Sequence, residues 1–143
     1  MSRRNDKSTE GSARIIMVDD EADFITIVRE WLAPRYDFVG LHNGGELLDT
    51  LEEFEPDLII LDVQMPGPDG FTLCDKLQST LGYAAIPILF LTALKGDLDF
   101  TKGLKVGCSF YLTKPTTRSE LISTINMILL GNAKTIGRRL SRG

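Results

Sequence analysis

The sequence predicts an α/β protein, a doubly wound (βα)5 unit whose parallel five-stranded sheet is buried between helices. Three observations predict it. Short runs rich in Val, Ile, Leu and Phe recur along the chain, separated by stretches with the 3.6-residue helical period. The runs are apolar almost throughout, as strands covered on both faces are, and do not alternate like strands with one wet face. At 143 residues the chain is long enough to bury one such core and too short for two.

Each element has its own justification. Residues 15–18 form the first strand. Phe24, Ile27, Val28, Trp31 and Leu32 follow at i, i+3, i+4, i+7 and i+8, one helical face, and Pro34 stops that helix. Residues 36–41 are a second, half-polar strand. Asn43 is suited to cap a helix carrying Leu47, Leu48, Leu51 and Phe54 and ending before Pro56. Leu58–Leu61 is the third strand. Over 71–80 a helix turns Phe71, Cys74, Leu77 and Leu81 inward. Residues 87–91 are a fully apolar fourth strand, 97–106 a weakly amphipathic fourth helix and 110–112 the fifth strand. Thr117 and Glu120 make a capping box ahead of Leu121, Ile122, Ile125, Ile128 and Leu129 in the fifth helix. The organisation is a polar N-terminus (1–13), the folded unit (14–130) and a basic tail or linker start (131–143).

The charge is unevenly placed. Residues 1–14 and 131–143 carry eight Lys or Arg against two acids, while 15–130 carry eight against eighteen. An acidic body attracts divalent cations and repels nucleic acid. Residues 131–143 are too short for an effector domain, so nucleic-acid contact is expected only through an output domain outside this chain. Residues 1–13 lack the apolar core of a signal peptide, and no apolar run approaches a membrane span. Cys74 and Cys108 then read as two reduced core thiols. The expectation is a cytoplasmic protein without a membrane partner.

Five polar residues fall at strand ends. Asp19 and Asp20 follow the first strand, Asp62 the third, Thr92 the fourth and Lys114 the fifth. In a parallel sheet these positions share one edge, where such sheets bind ligands. Each pair of carboxylates held 4 Å apart repels by about 4 kcal/mol at an effective dielectric near 20. A cation must offset that, and oxygen-only ligands select a hard ion such as Mg²⁺. Lys114 adds a point charge suited to a phosphoryl oxygen, and the Thr92 hydroxyl beside small Ala93 adds a donor. A carboxylate so placed can attack phosphorus and form an acyl phosphate. Asp19 and Asp20 taken alone favour helix capping, and the companion residues at the same edge reverse that reading. His42, the only histidine, has no companion residues and is assigned no role.

Val18-Asp19-Asp20-Glu21, Leu61-Asp62-Val63-Gln64-Met65-Pro66-Gly67-Pro68-Asp69-Gly70, Leu91-Thr92-Ala93 and Tyr111-Leu112-Thr113-Lys114-Pro115 resemble the receiver domain of two-component response regulators, over about residues 14–130. The resemblance implies a flavodoxin-like sheet of order 2-1-3-4-5. It implies that Asp62 is the phosphoacceptor, served by a sensor histidine kinase or phosphotransfer protein. It implies that Asp20, Asp62 and the Gln64 carbonyl ligate Mg²⁺ directly and Asp19 through water. Thr92 and Lys114 would bind phosphoryl oxygens, Tyr111 would be the switch aromatic, and Lys114-Pro115 a cis peptide. The chain would catalyse only its own aspartyl phosphorylation and dephosphorylation. Effectors would dock on the face made by the fourth helix, fifth strand and fifth helix.

The chain departs from the family pattern at several positions. Thr116 stands where Phe is frequent, and Ser109 and Phe110 stand where acids precede the switch aromatic. Without those acids, the salt-bridged dimer of the winged-helix subfamily is not expected. Phe110 with Met127, Ile128, Leu129 and Leu130 is left as an apolar contact for a phosphorylation-dependent homodimer. Leu94, two residues past Thr92, is bulky and apolar where attacking water must pass, and implies a long-lived phosphoryl state. The main rival reading is a receiver-like scaffold that binds partners without phosphate. An Asp-dependent phosphatase needs a second acid where Gln64 stands, and a dinucleotide fold needs a Gly-x-Gly-x-x-Gly turn after the first strand; both are absent.

Overall fold

In the computed structural model, which describes residues 12–80, 82–93 and 110–142 and side chains as far as Gly131, one parallel sheet organises the chain. Its strands are β1 (Arg14–Val18), β2 (Asp37–Leu41), β3 (Leu58–Leu61), β4 (Ile88–Thr92) and β5 (Phe110–Thr113). They lie in the order β2-β1-β3-β4-β5, as expected for the flavodoxin-like arrangement. The three central strands are wholly buried, whereas the edge strands β2 and β5 are half-buried. The half-polar sequence of β2 follows from its edge position.

Side chains of the central strands alternate between two cores. Ile16, Val18, Ile59, Leu61, Ile88 and Phe90 face one layer, made by α2 (Leu47–Phe54) and α3 (Gly70–Ser79). Ile15, Met17, Leu58, Ile60, Leu89 and Leu91 face the other, made by α1 (Ala22–Leu32) and the C-terminal helix α4 (Arg118–Arg142). The helix expected over 97–106, together with Leu81, Leu94, Cys108 and Ser109, lies outside the described residues.

Helix ends follow their capping chemistry. The Asn43 side chain accepts from the Gly45 N–H and starts a 3₁₀ turn, Gly44–Glu46, that leads into α2. Glu55 adopts a left-handed conformation that closes α2 ahead of Pro56. Asp69 caps α3 through the Thr72 N–H at 2.9 Å. Thr117 Oγ1 accepts from the Glu120 N–H at 3.1 Å, one half of the expected capping box. The other half differs: the Glu120 carboxylate takes its hydrogen bond from the Thr116 hydroxyl.

Two expectations are corrected. The buried face of α1 is Ile25, Val28 and Leu32, with Phe24 and Trp31 half-buried beside it and Ile27 exposed. Ile27 lies about 200° around the helix from Ile25, so the two cannot share a face. Arg14, counted above with the basic N-terminus, is instead a buried residue that opens β1. Its Nη1 donates to the Phe54 carbonyl at 2.8 Å, its guanidinium lies over the Phe54 ring and its Nε faces Asp37. The Asp57 carboxylate accepts from its backbone N–H at 2.8 Å.

Candidate functional site

The sheet itself positions the site. From β1 the chain runs outward to β2 and then crosses back to β3 on the other side, so the strand order reverses between β1 and β3. A crevice opens at the carboxyl ends of such a pair. Asp19 leaves β1 there and Asp62 leaves β3. Ladder bonds extend one residue beyond the strands and pin both backbones: Asp19 N–H to the Leu41 carbonyl and Asp62 N–H to the Val18 carbonyl, each 3.0 Å. The Lys114 N–H is held in the same way by the Thr92 carbonyl at 2.9 Å. Asp19, Asp62 and Lys114 thus inherit their positions from sheet hydrogen bonding.

The structure brings the acids together. Asp19, Asp20 and Asp62 each offer a carboxylate oxygen, and these oxygens lie within 4.8 Å of one another. Asp19 and Asp62 are buried, while Asp20 is exposed. Asp19 Oδ1 accepts from the Glu21 N–H at 2.9 Å, and Asp62 Oδ1 from the Gln64 N–H at 3.2 Å. Lys114 Nζ reaches into the group, 2.9 Å from Asp19 Oδ2 and 3.3 Å from Asp62 Oδ2. Thr92 is fully buried at the end of β4, and the Lys114-Pro115 bond is cis, as expected.

Burial and like charge act against this cluster. Loss of water pushes the Asp19 carboxyl up to about 6, with Asp62 adding to the rise against the opposing Glu21 N–H and Lys114. Burial would lower the Lys114 ammonium, but its bonds to Asp19 and Glu21 and the charges of Asp19 and Asp62 outweigh that and hold it above the ordinary lysine range. The Asp19–Lys114 contact is an ion pair without hydrogen-bond alignment, and Asp19 Oδ2 has no hydrogen-bond partner among the described residues. A buried, under-satisfied carboxylate oxygen beside two others fits a hard divalent cation.

Some contributors carry no obvious mark in the sequence. Glu21 Oε1 holds Lys114 Nζ at 2.9 Å, and the Phe24 ring lies 4.7 Å from the same ammonium. The only signal for Glu21 was its place on the strand edge with Asp19 and Asp20. Gly70 is a second: a Cβ there would overlap the Asp62 carbonyl oxygen and sit 2.9 Å from both its carbon and Val63 Cα. The glycine lets α3 begin directly against the backbone that carries Asp62. Tyr111 is half-buried on β5, edge-on to Phe90 at 6.2 Å, and Phe90 is edge-on to Phe71 at 5.0 Å. The exposed His42 is not among the residues brought together here.

A doubly wound parallel sheet with this acid–lysine edge defines the receiver class of signalling module. The model of the response regulator receiver domain matches residues 15–126, and the chain belongs to that family. Among solved structures it is similar to the chemotaxis protein CheY4 of Vibrio cholerae, 28% identical, with a TM-score of 0.78 over 82% of this chain and 98% of that one. It is similar to the receiver domain of a signal transduction histidine kinase from Syntrophus aciditrophicus, 31% identical, with a TM-score of 0.76 over 84% and 92%. The BeF3-activated N-terminal receiver domain of Klebsiella pneumoniae RstA is 30% identical, with a TM-score of 0.73 over 81% and 97%. The chain is thus a receiver domain of two-component signalling. Among the described residues, no helix is long and apolar enough to cross a membrane.

Proposed function

We propose that this protein is a phosphorylation switch in which Asp62 accepts a phosphoryl group from a phosphohistidine on a sensor histidine kinase or phosphotransfer protein. The observation that carries the reading is the convergence of Asp19, Asp20 and Asp62 oxygens within 4.8 Å, with Lys114 Nζ against two of those residues. Asp20, Asp62 and the Gln64 carbonyl would hold Mg²⁺, with Asp19 acting through water. The ion supplies charge neutralisation for an anionic carboxylate meeting an anionic phosphoryl group.

The residues divide the remaining work. An Asp62 carboxylate oxygen forms the new P–O bond as the bond from phosphorus to the donor nitrogen breaks, and the imidazole leaves with the electron pair. The Gln64 N–H orients Asp62 through its Oδ1, and the ladder bond to Val18 fixes the backbone behind it. Lys114 and the Thr92 hydroxyl bind the phosphoryl oxygens. Movement of Thr92 toward them frees space for Tyr111 to turn inward, which alters the face presented by β5 and α4. That face is the proposed docking surface for effectors and for a phosphorylation-dependent homodimer. With a kinase-borne phosphohistidine as the donor, the protein would work in the cytoplasm.

Intact mass after incubation with acetyl phosphate tests the reading. One phosphoryl group is expected with Mg²⁺ and none without it or in Asp62→Asn. An unmodified mass, with Mg²⁺ binding demonstrated separately, overturns the proposal in favour of a phosphate-independent scaffold.

A further inference from the structure

Lys114 is engaged before any phosphoryl group arrives. Its ammonium is shared by Asp19 Oδ2 at 2.9 Å, Glu21 Oε1 at 2.9 Å and Asp62 Oδ2 at 3.3 Å, with the Phe24 ring at 4.7 Å. Asp19 and Asp62 belong to the buried acid cluster; Glu21 and Phe24 do not. Both lie at the start of α1, and Glu21 is 62% exposed whereas the lysine it holds is 14% exposed. A carboxylate at the solvent side therefore shares the ammonium with the two buried acids. Two of the three N–H groups of the ammonium are hydrogen-bonded, to Glu21 and Asp62, and the third charge contact is the ion pair with Asp19.

We propose that Glu21 is a positioning residue that tethers Lys114 in the resting state, so that release of this contact accompanies phosphorylation and sets its rate. The inference rests on the phosphoacceptor reading of Asp62 and extends it to a residue outside the acid cluster. A phosphoryl group on Asp62 competes with Glu21 for the same ammonium. In the resting protein Glu21 also adds negative charge beside the path of an anionic donor. Phe24 adds a cation–π contact to the same ammonium, without adding charge. Removing the Glu21 charge frees the lysine for the incoming phosphoryl oxygens. An exposed ion pair of this kind is worth enough to change a rate by roughly twofold to fivefold.

The experiment compares the full chain with Glu21→Gln, Lys114→Met and the double variant. Phosphoryl uptake from acetyl phosphate is followed by intact mass at saturating Mg²⁺. Glu21→Gln is expected to take up the group about two to five times faster than the parent. In the Lys114→Met background the same change should have little effect, because the tether has nothing to hold. An unchanged or slower rate in Glu21→Gln overturns the proposal, as does an equal gain in both backgrounds, which would make Glu21 a diffuse charge only.

A second readout needs no phosphorylation. The ammonium cross-peak of Lys114 in a ¹H–¹⁵N spectrum of the resting protein, identified by its loss in Lys114→Met, should shift and weaken in Glu21→Gln. An unmoved cross-peak refutes the tether even if the rates differ. A parent protein that takes up no phosphoryl group refutes the phosphoacceptor reading instead, whatever the cross-peak does.

Discussion

Each end of β1 carries a buried charge, and the two are treated in opposite ways. At the start, Arg14 is matched by the Phe54 carbonyl, the Phe54 ring and Asp37, while Asp57 takes its N–H. One residue past the other end, Asp19 has an oxygen with no hydrogen bond and is crowded by Asp20 and Asp62. The first end is satisfied by the chain itself and contributes stability. The second is left short of positive charge, a shortage that a divalent cation can offset. A satisfied charge and an under-satisfied one thus sit at opposite poles of one sheet.

The largest expected effect breaks the satisfied pole. Arg14→Ala strips three partners at once and should lower the unfolding free energy by about 2–3 kcal/mol. Urea denaturation measures it. Phosphoryl uptake by the folded fraction should stay within about twofold of the parent, because no site group is touched. A large rate loss would show that the poles are coupled.

Gly70→Ala sharpens the comparison from the other side. The added methyl overlaps the Asp62 carbonyl, so the loop must shift, at about 1–3 kcal/mol. Uptake should fall on the order of tenfold or more through misplacement of Asp62. Unlike Arg14→Ala, this change costs both stability and chemistry.

The shortage of charge at Asp19 has a pH signature. Its carboxyl is raised from 3.8 to about 6, so the folded state without metal is penalised when the group ionises. That penalty is absent below about pH 4, grows between 4 and 6 and is complete above 6. The stability of Asp19→Asn relative to the parent should improve by on the order of 2 kcal/mol on going from pH 4 to pH 8. Denaturation in EDTA at the two pH values tests this. Added Mg²⁺ should stabilise the parent more at pH 8 than at pH 5, where protons compete for Asp19. The smallest effect is Phe90→Leu, which loses two edge-on ring contacts; its cost of about 1 kcal/mol is expected to appear in Tm and leave Mg²⁺ affinity unchanged.

Much of this was legible in the chain. Near-continuous apolar runs announced buried parallel strands, since covering both faces leaves no polar position to conserve solvent contact. The end of each run located Asp19, Asp62, Thr92 and Lys114 along one edge. The face of α1 was less legible, because both Ile25 and Ile27 are apolar and both fit a helical period; contact with the sheet selects Ile25. The need for Gly70 is not legible in the sequence, since nothing local reveals that its missing Cβ faces the Asp62 carbonyl.

That Asp19, Asp62, Thr92 and Lys114 share one edge of a parallel sheet could be read from the chain, because strand ends and periodicity are local properties. Tertiary structure decided how their charges are shared. The position of Lys114 between Asp19, Asp62 and Glu21 spans separations of up to 95 residues, and the burial that raises Asp19 depends on everything packed around β1. Electrostatic energies vary with distance and local dielectric, and both exist only once the sheet has closed.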